Sequence, residues 1–489
     1  MVYNGGGYMF YVGCGFRLTR CTVDEVSALV VDFGSHTTRA GYAGEDCPRV
    51  VCPTFYGYTN DQPSTSEPDA AESEKQQNGE DDPMSEPSPE GVEPKNKGSG
   101  RKYHVGEDGV SVWRPGMEVE NFMLDGVVHD PEPASALLHH ILHSRLGVNP
   151  TEHPLMITEP AWNTHKAREL LTEMVFEGEN MPALYFGSSG VLSAFAAGKP
   201  TALVLDVGYA QSSAVPVIDG YALRSGTMHQ PLGSQLIISQ LHHHFTTPSP
   251  TKQALSLLPR HLIKKRDSTQ DPGCVPKPIL RDDRVPHTTE SWKLWAQNNV
   301  IEGWKEACTE IVNYQGFNFK TASELPQVMY EFPDGYHQYF GEERYRFSEV
   351  LFNPDHYFDQ SFPPPIQLQS VPSTSSSRSL QNLVSLSQLV HHSIMSCDVD
   401  IRAKLLQNII VVGNTSLTRG LIERLDVELA ERMPSQKIKI HSPTIPYERK
   451  YASWVGGSIL TSLGTFHQLW VTKDEYEEHG MSIVHHRCK

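Results

Sequence analysis

Residues 28–34 read ALVVDFG, and the pattern returns at residues 202–208 as ALVLDVG, with five of the seven positions identical. Each copy is an apolar run too short for a helix and rich enough in β-branched residues for a strand, and it ends in an aspartate and a glycine suited to a tight turn. A second β-prone stretch follows each copy, at residues 37–43 and 212–218. The repeat predicts a duplicated α/β lobe whose halves each open with a strand, a polar turn and a returning strand.

Helices that would cover two central sheets are predicted between and after the copies. Residues 133–146 carry five apolar side chains on one helical face, namely Leu137, Leu138, Ile141, Leu142 and Leu146. Near the end, a strand at 408–412 precedes the turn GNTS at 413–416, and an amphipathic helix follows at 421–433. This order of elements is typical of an α/β protein with two related lobes.

The composition narrows the class of protein. A chain of 489 residues is long enough for two large lobes with a core each. Its formal charge of −17 argues against sequence-independent binding of DNA or an anionic membrane through a broad basic face. The eight cysteines contain no CxxC pair. No apolar run approaches the ~18 residues of a membrane span. Residues 1–21 lack the basic segment followed by an apolar segment that is typical of a signal peptide. We expect a soluble intracellular protein with reduced cysteines.

Two segments interrupt the pattern. Residues 60–100 hold eleven acidic and three basic residues and almost no large apolar ones, so their net charge of −8 is about half of the total. Such a segment cannot bury enough surface to offset the entropy cost of ordering. Residues 369–381 are rich in serine. We expect a disordered acidic insert and a mobile surface loop; whether either binds a partner or is only a solvated spacer stays open.

The turn that ends each copy has the chemistry of a phosphate site. Backbone N–H groups exposed in an Asp-x-Gly turn can bind phosphate oxygens, and the neighbouring carboxylate can hold a hydrated divalent cation. A single Asp-x-Gly sequence is most often a plain turn. Its duplication, together with a third glycine turn at Gly413, favours two loops that clamp the phosphates of a nucleotide between the lobes.

Longer motifs resemble one protein family. Residues 32–44 (DFGSHTTRAGYAG) resemble the first phosphate loop of actin and the actin-related proteins, residues 206–208 (DVG) the second, and residues 412–416 (VGNTS) the loop on the adenosine side. The resemblance is strongest at 447–460 (YERKYASWVGGSIL) and also covers 393–402, 465–470 and 483–485. It implies an α/β, actin-like ATPase fold, with four subdomains in two duplicated lobes around a central nucleotide cleft.

The resemblance also implies a division of the chain. The first lobe would span residues 24–201 and contain the acidic insert, and the second would span 202–450 and contain the serine-rich loop. The carboxy-terminal segment, 451–489, would return to the first lobe. Residues 1–23 have no counterpart in the family, and their role is unknown.

The resemblance assigns a nucleotide site residue by residue. Asp32 and Asp206 would hold magnesium through water beside the phosphates of ATP or ADP. Arg39 stands where actin has a phosphate-pairing lysine, a role that either cation can fill. The other implied contacts are Gly34, Ser35 and Gly208 on the phosphate side, and Lys305, Glu306, Gly413, Asn414, Thr415 and Lys450 on the adenosine side. For each charged residue, a surface ion pair is the alternative.

Departures from actin bear on hydrolysis. Actin holds its attacking water with a glutamine and a histidine, and the aligned positions here are Ser189 and Ser213. A serine hydroxyl is shorter and a poor base near neutral pH, so we expect slow or absent hydrolysis and no catalytic residue. Tyr209 and Ala210 replace an acidic residue and a glycine of the second phosphate turn, which weakens the expectation of tight ATP binding.

Two groups of histidines remain outside these motifs. His139, His140 and His143 could place two imidazoles on one helix face, and residues 242–244 are a histidine triplet. Neither group has a cysteine or carboxylate at ligand spacing in the sequence, so we predict no metal site at either.

Several features indicate which kind of actin relative this is. The acidic insert falls in the segment that contacts the next protomer of an actin filament, so filament formation is not expected. Residues 158–163 (TEPAWN) and 349–354 (EVLFNP) resemble the nuclear, fourth-class actin-related proteins. That resemblance implies a nuclear, ATP-binding structural subunit of chromatin-remodelling and histone-acetyltransferase complexes, which regulate transcription and serve DNA repair. Its implied partners are monomeric actin, a helicase-associated helix and histones, without sequence-specific DNA binding or membrane attachment.

Two other classes stay open. A metabolite kinase or chaperone ATPase of the same superfamily would share the duplicated phosphate loops, and phosphate transfer to sugars would distinguish it. A polymerising cytoskeletal relative would sediment with ATP and magnesium.

The resemblance places a partner-binding groove between the two halves of the base. The resemblance assigns five residues of this chain to the groove, namely Phe195, Tyr221, Leu460, Leu463 and Leu469. An amphipathic helix could lay its apolar side chains into such a groove. The alternative is that these five belong to one continuous core, because apolar residues at helical spacing usually face inward.

Overall fold

The computed structural model describes residues 27–60, 100–248, 253–267, 271–313, 324–357 and 382–488. The amino-terminal extension 1–23, nearly all of the acidic insert 60–100 and the serine-rich loop 369–381 lie outside the described residues. The described strands are β1 Leu29–Phe33, β2 Thr37–Tyr42, β3 Val50–Pro53, β4 Phe55–Asn60, β5 Arg101–His104, β6 Glu118–Asn121, β7 Met123–Leu124, β8 Val127–Val128, β9 Leu155–Glu159, β10 Ala183–Ser188, β11 Ala202–Val207, β12 Ser212–Ile218, β13 Tyr221–Ala222, β14 Met228–Gln230, β15 Ile263–Lys265, β16 Ile279–Leu280, β17 Val328–Glu331, β18 His337–Phe340, β19 Ile409–Val412, β20 Ile440–His441 and β21 Val471–Thr472.

Two sheets with the same local topology form the centres of the two lobes. The first has the order β21-β10-β9-β1-β2-β3, and the second has the order β13-β12-β11-β19-β20 with β14 beside β12. In the first sheet β1 is antiparallel to β2 and parallel to β9, and in the second β11 is antiparallel to β12 and parallel to β19. The strand, turn and returning strand predicted at each copy of the repeat are therefore confirmed.

Helices cover both sheets. The described α-helices are α1 Glu107–Val110, α2 Pro131–His139, α3 His165–Glu173, α4 Ser189–Ala196, α5 Ser234–Thr246, α6 Glu290–Cys308, α7 Glu343–Arg346, α8 Pro354–Tyr357, α9 Leu386–Met395, α10 Val399–Leu406, α11 Leu421–Arg432, α12 Pro446–Lys450, α13 Ala452–Thr461, α14 Lys473–His479 and α15 Ile483–Arg487. Separate apolar clusters lie on the faces of the two sheets. Within the described residues, no helix combines the length and apolarity that crossing a membrane would need.

The helix predicted at 133–146 changes its form partway. It is α-helical over Pro131–His139 and continues as a π-helix over His140–Leu146, and α3 likewise continues as a π-helix over Met174–Gly178. Of the five apolar residues predicted to share one face of the helix at 133–146, four are buried and Leu146 is only partly buried.

The chain returns to the first lobe after α12. Strand β21 pairs with β10 at the edge of the first sheet, and α13 packs against α4 and β1. Trp454 of α13 is buried and its indole N–H donates to the Val30 carbonyl oxygen at 3.0 Å. The last segment of the chain is thereby part of the first lobe's core.

Strands β4, β5 and β6 form a small sheet near the edge of the first lobe. Strands β4 and β5 are antiparallel, and their pairing ends with Asn60 opposite Arg101. The residues of the acidic insert connect these two strand ends. The insert therefore leaves the described fold at the open end of a hairpin.

Candidate functional site

A cleft of about 480 Å³ lies where the ends of the two central sheets face each other. It is lined by loops from both lobes and by α6, α12 and α13. The predicted nucleotide-site residues in its wall are Asp32, Gly34, Ser35, Arg39, Asp206, Gly208, Glu306, Gly413, Asn414, Thr415 and Lys450. Ser189 and Ser213 also line it. Lys305 does not line the cleft but is buried behind its wall.

The Asp32 carboxylate is enclosed by donors. Arg39 Nη1 donates to Asp32 Oδ2 at 2.6 Å, and the Ser453 hydroxyl donates to the same oxygen at 3.1 Å. The Thr158 hydroxyl donates to Oδ1. Register explains two of these contacts, because Arg39 lies opposite Asp32 on β2 and Thr158 lies beside it on β9. The negative charge of Asp32 is therefore balanced by Arg39 within the first lobe.

Asp206 occupies the equivalent position of the second lobe, and among the described residues its carboxylate has no hydrogen-bond donor of this kind. Its neighbours in register are Ser213 on β12 and Val412 on β19. Burial raises the pKa of the Asp206 carboxyl from 3.8 to about 6, and the charge of Asp32 adds to the rise while the Arg39 cation opposes it. A cation that enters the cleft would stabilise the ionised form of this buried carboxylate.

Gly413 allows the loop after β19 to approach Asp206 closely. Its φ of +93° is a conformation that favours glycine. A Cβ atom at this position would lie 2.3 Å from Asp206 Oδ1 and 2.4 Å from the Val207 carbonyl oxygen. The glycine is therefore required both by backbone conformation and by space.

The loop after β11, which carries Gly208, is held in place by hydrogen bonds from neighbouring segments. The Gly208 carbonyl oxygen accepts hydrogen bonds from the Thr415 hydroxyl at 2.7 Å and from the Ser234 backbone N–H at 3.2 Å. Lys305 Nζ donates to the Ser234 hydroxyl. Burial lowers the pKa of Lys305, against the charges of Glu302 and Glu306. Lys305 thus supports the loop that carries Gly208 from beneath the cleft surface.

Contacts across the cleft were not predicted from the sequence. The imidazole of His36, from the first loop, lies over the Tyr209 ring of the second loop with 4.5 Å between centroids. His36 Nε2 also lies 3.1 Å from Glu302 Oε2 on α6. Burial acts to raise the pKa of Glu302, but the hydrogen bond and charge of His36, with the charges of Lys305 and Lys450, leave it lowered. His36 therefore joins the lobes.

A second contact between the lobes involves the TEPAWN motif. Trp162 stacks on His229 with centroids 4.1 Å apart and planes within 5° of parallel. His229 Nε2 lies 3.5 Å from the Asp125 carboxylate. The pairing joins the segment after β9 to β14, which sequence spacing alone could not reveal.

Ser189 and Ser213, the two positions at which the family resemblance indicates a departure from actin, both line the cleft, and Ser213 lies opposite Asp206 in the strand register. Ser189 begins α4 and Ser213 lies in β12. Within the described parts of the chain, neither hydroxyl has a hydrogen-bonding partner that would activate it.

The residues of the predicted partner groove are mostly exposed. Helix α4 packs against α13 and contacts β13, and the turn after α13 carries the last two of the five residues. Phe195 is 38% exposed, Tyr221 68%, Leu463 42% and Leu469 45%. Leu460 is partly buried against the core around Trp454. The alternative that all five belong to one continuous core is therefore wrong; we call these five residues the apolar base surface.

Comparison with known proteins agrees with this fold. The family model described as Actin matches residues 23–489. Two lobes with repeated sheet topology around a cleft define the actin-fold class, and the chain belongs to the actin family.

Its relatives specify the branch of that family. The chain is 36% identical to "Actin-related protein 4" of Mycosarcoma maydis, over 95% of this chain and 99% of the relative. It is 34% identical to "Actin-related protein 4" of Arabidopsis thaliana, with the same coverage. It is also 34% identical to "SWI/SNF and RSC complexes subunit arp42" of Schizosaccharomyces pombe, over 96% of this chain and 100% of the relative. The resemblance to the fourth-class actin-related proteins is confirmed.

Proposed function

We propose that this chain is a nuclear, non-polymerising subunit of chromatin-remodelling and histone-acetyltransferase complexes, which binds adenine nucleotide in the cleft and binds its partners through the apolar base surface. The observation that carries the proposal is that Phe195, Tyr221, Leu463 and Leu469 are exposed on α4, on β13 and in the turn after α13, and that α4 contacts both β13 and α13. Large apolar side chains grouped on a surface are typical of protein interaction sites. The name of the fission-yeast relative supports the kind of complex.

The cleft residues fit ATP or ADP with magnesium. The Asp206 carboxylate is desolvated, faces the cleft and lies close enough to Asp32 to feel its charge. A hydrated divalent cation would relieve that repulsion, and turn N–H groups beside Gly34 and Gly208 suit phosphate oxygens. Lys450 and Glu306 would flank the adenosine. Bound nucleotide would then hold the two lobes together.

Hydrolysis would be slow or absent. With Ser189 and Ser213 in the cleft wall, this chain supplies no imidazole and no long amide side chain at the positions that orient water in actin. The nucleotide would therefore act as a structural ligand that stabilises the closed arrangement of the lobes. This role belongs to a stable subunit more than to a cycling filament protein.

The acidic insert between β4 and β5 would oppose filament formation. The insert that joins Asn60 to Arg101 carries a net charge of −8 over residues 60–100. A strongly charged segment at a protomer contact would repel a second copy and cost ordering entropy on assembly. A cytoskeletal filament protein remains the alternative that a sedimentation assay with ATP and magnesium would distinguish.

The partners would be proteins. An amphipathic helix, such as the helicase-associated helix of a remodeller motor subunit, could place apolar side chains every three or four residues against the apolar base surface, beside a monomer of actin. Histones would be reached through the assembled complex, and neither direct sequence-specific DNA binding nor membrane attachment is expected.

Affinity purification of the tagged full-length chain from nuclei of its own organism tests this function. We expect a remodeller motor subunit and actin among the co-purifying proteins, in amounts comparable to the tagged chain. Recovery of the chain as a homopolymer, or with sugar kinase activity in the purified fraction, would overturn the proposal in favour of the filament or active-ATPase alternatives.

A further inference from the structure

Three metal-ligating side chains meet in the first lobe, outside the cleft. His139 ends α2, His143 lies in the π-helical continuation, and Glu179 follows the π-helical end of α3. The sequence has no carboxylate at ligand spacing beside these histidines, but the fold brings Glu179 to His143 from 36 residues away. The two helices must pack side by side for this to happen, and that packing is not visible in local spacing.

Both carboxylate oxygens of Glu179 face an imidazole. His139 Nδ1 lies 3.2 Å from Oε1, and His143 Nε2 lies 3.1 Å from Oε2. The imidazole rings are neighbours, with centroids 4.1 Å apart. The three ligand atoms lie within 4.8 Å of one another, and no other three histidine, cysteine, aspartate or glutamate residues in the described part of the chain form such a group.

Burial distinguishes this cluster from a surface ion pair. The Glu179 side chain is 4% exposed, whereas those of His139 and His143 are 37% and 41% exposed. Within the described ranges, the ion-pair partners of Glu179 are these two histidines, with no lysine or arginine among them. A buried carboxylate thus lies behind two accessible imidazoles, and a cation arriving from solvent would meet all three.

The distances suit one small ion. Zinc binds histidine nitrogen and carboxylate oxygen at about 2.0–2.1 Å, so two ligand atoms of a tetrahedral site lie about 3.3 Å apart. The nitrogen-to-oxygen distances of 3.1 and 3.2 Å are close to that spacing. Imidazole nitrogen also selects zinc, copper or nickel over magnesium and calcium, which prefer oxygen ligands.

We propose that His139, His143 and Glu179 form a binding site for zinc or a similar first-row transition-metal ion, with the fourth position open to solvent. The ion would link the end of α2 to the segment between α3 and β10. This link is independent of the nucleotide cleft, because none of the three residues lines it.

Zinc titration of the full-length protein by calorimetry tests the site. Cys14, Cys21, Cys47 and Cys274 are replaced by serine in every protein compared, so that these cysteine side chains do not compete for the ion. The variant His143→Gln removes an accessible ligand with little effect on the core. Its matched control is His485→Gln, because the His485 ring likewise lies 4.1 Å from another histidine ring and its Nε2 lies 3.0 Å from a glutamate carboxylate.

We expect the parent and His485→Gln to bind one zinc ion with the same affinity at neutral pH, and His143→Gln to bind it at least about 10-fold more weakly. Glu179→Gln should have a similar effect, and zinc should raise the melting temperature of the parent but not of either ligand variant. Equal zinc affinity of the parent and His143→Gln would overturn the proposal, as would a parent that binds no zinc.

Discussion

Arg39 lies opposite Asp32 in the first sheet and binds its carboxylate at 2.6 Å, whereas Ser213 lies opposite Asp206 at the same register position of the second sheet. The two lobes are therefore alike in backbone and different in charge. Asp32 is compensated within its own lobe, while Asp206 is left desolvated with a raised pKa. A cation bound in the proposed nucleotide site would therefore be stabilised mainly by the carboxylate of the second lobe.

The state of Asp206 predicts a pH-dependent stability. Because the pKa of this carboxyl is about 6 in the folded protein and near 3.8 when unperturbed, the folded state binds the proton more tightly. Its ionisation therefore costs stability as pH rises from 3.8 through about 6, and the loss is complete above that range. Without nucleotide and magnesium, Asp206→Asn should stabilise the protein above pH 6 by about 1–3 kcal/mol, with little gain near pH 4. Urea unfolding at both pH values measures this, and an equal effect at both would contradict it.

Substitution of Gly413 should disturb the cleft through Asp206. The added Cβ of Gly413→Ala would lie 2.3 Å from Asp206 Oδ1, so the second loop must shift. Gly220→Ala is the matched control, because Gly220 has a φ of +85° but no atom within 4 Å of the added Cβ. We expect Gly413→Ala to weaken magnesium–ATP binding by about 10-fold or more, and Gly220→Ala to leave it unchanged. Equal affinities, measured by fluorescent nucleotide displacement, would argue against the assigned loop.

The serine positions predict slow turnover. Each missing group that positions or deprotonates water typically costs a factor of ~100 or more. The double variant Ser189→Gln with Ser213→His should therefore hydrolyse ATP faster than the wild type if the lobes close correctly. Phosphate release at saturating ATP is the measurement. A wild-type rate equal to that of polymerised actin would contradict this prediction.

A buried ion network predicts a large effect on stability in the second lobe. Arg424 donates from Nη2 to Glu349 Oε1 and from Nε to Glu428 Oε1, each at 2.7 Å, and all three side chains are almost fully buried. Arg424→Met would leave two buried carboxylates without this partner and should cost about 3–5 kcal/mol. The exposed pair of Arg346 and Glu342 is the control, and Arg346→Met should cost less than about 1 kcal/mol. Similar losses in urea unfolding would contradict this account.

Local patterns predicted the framework of this fold well. The repeated run at 28–34 and 202–208 predicted both central strand pairs, because alternation and turn residues act over a few neighbouring positions. The same repeat predicted which loops meet at the cleft, since strands that are equivalent in two lobes end at equivalent edges. Lys305 of the predicted site lies buried behind the cleft wall.

Contacts between distant segments could not be predicted in this way. The contact between the His36 and Tyr209 rings and the approach of Glu179 to His143 depend on how helices and lobes pack, which leaves no short-range signal in the sequence. The motif that includes Glu349 was recognised only as a family resemblance. The structure gives it a physical role, because Glu349 neutralises Arg424 in the core.

Reconstitution with purified monomeric actin and a helicase-associated helix tests whether the apolar base surface binds the partner helix. The exposed side chains of Leu463 and Leu469 should insert against the helix, so Leu463→Asp and Leu469→Asp should fold normally and lose at least about 10-fold in affinity. Met329→Asp is the control, because Met329 is 55% exposed on a hairpin of the other lobe and should have no effect. We expect a stable ternary complex for the wild type and Met329→Asp only. Folded Leu463→Asp and Leu469→Asp variants that assemble as well as the wild type would contradict it.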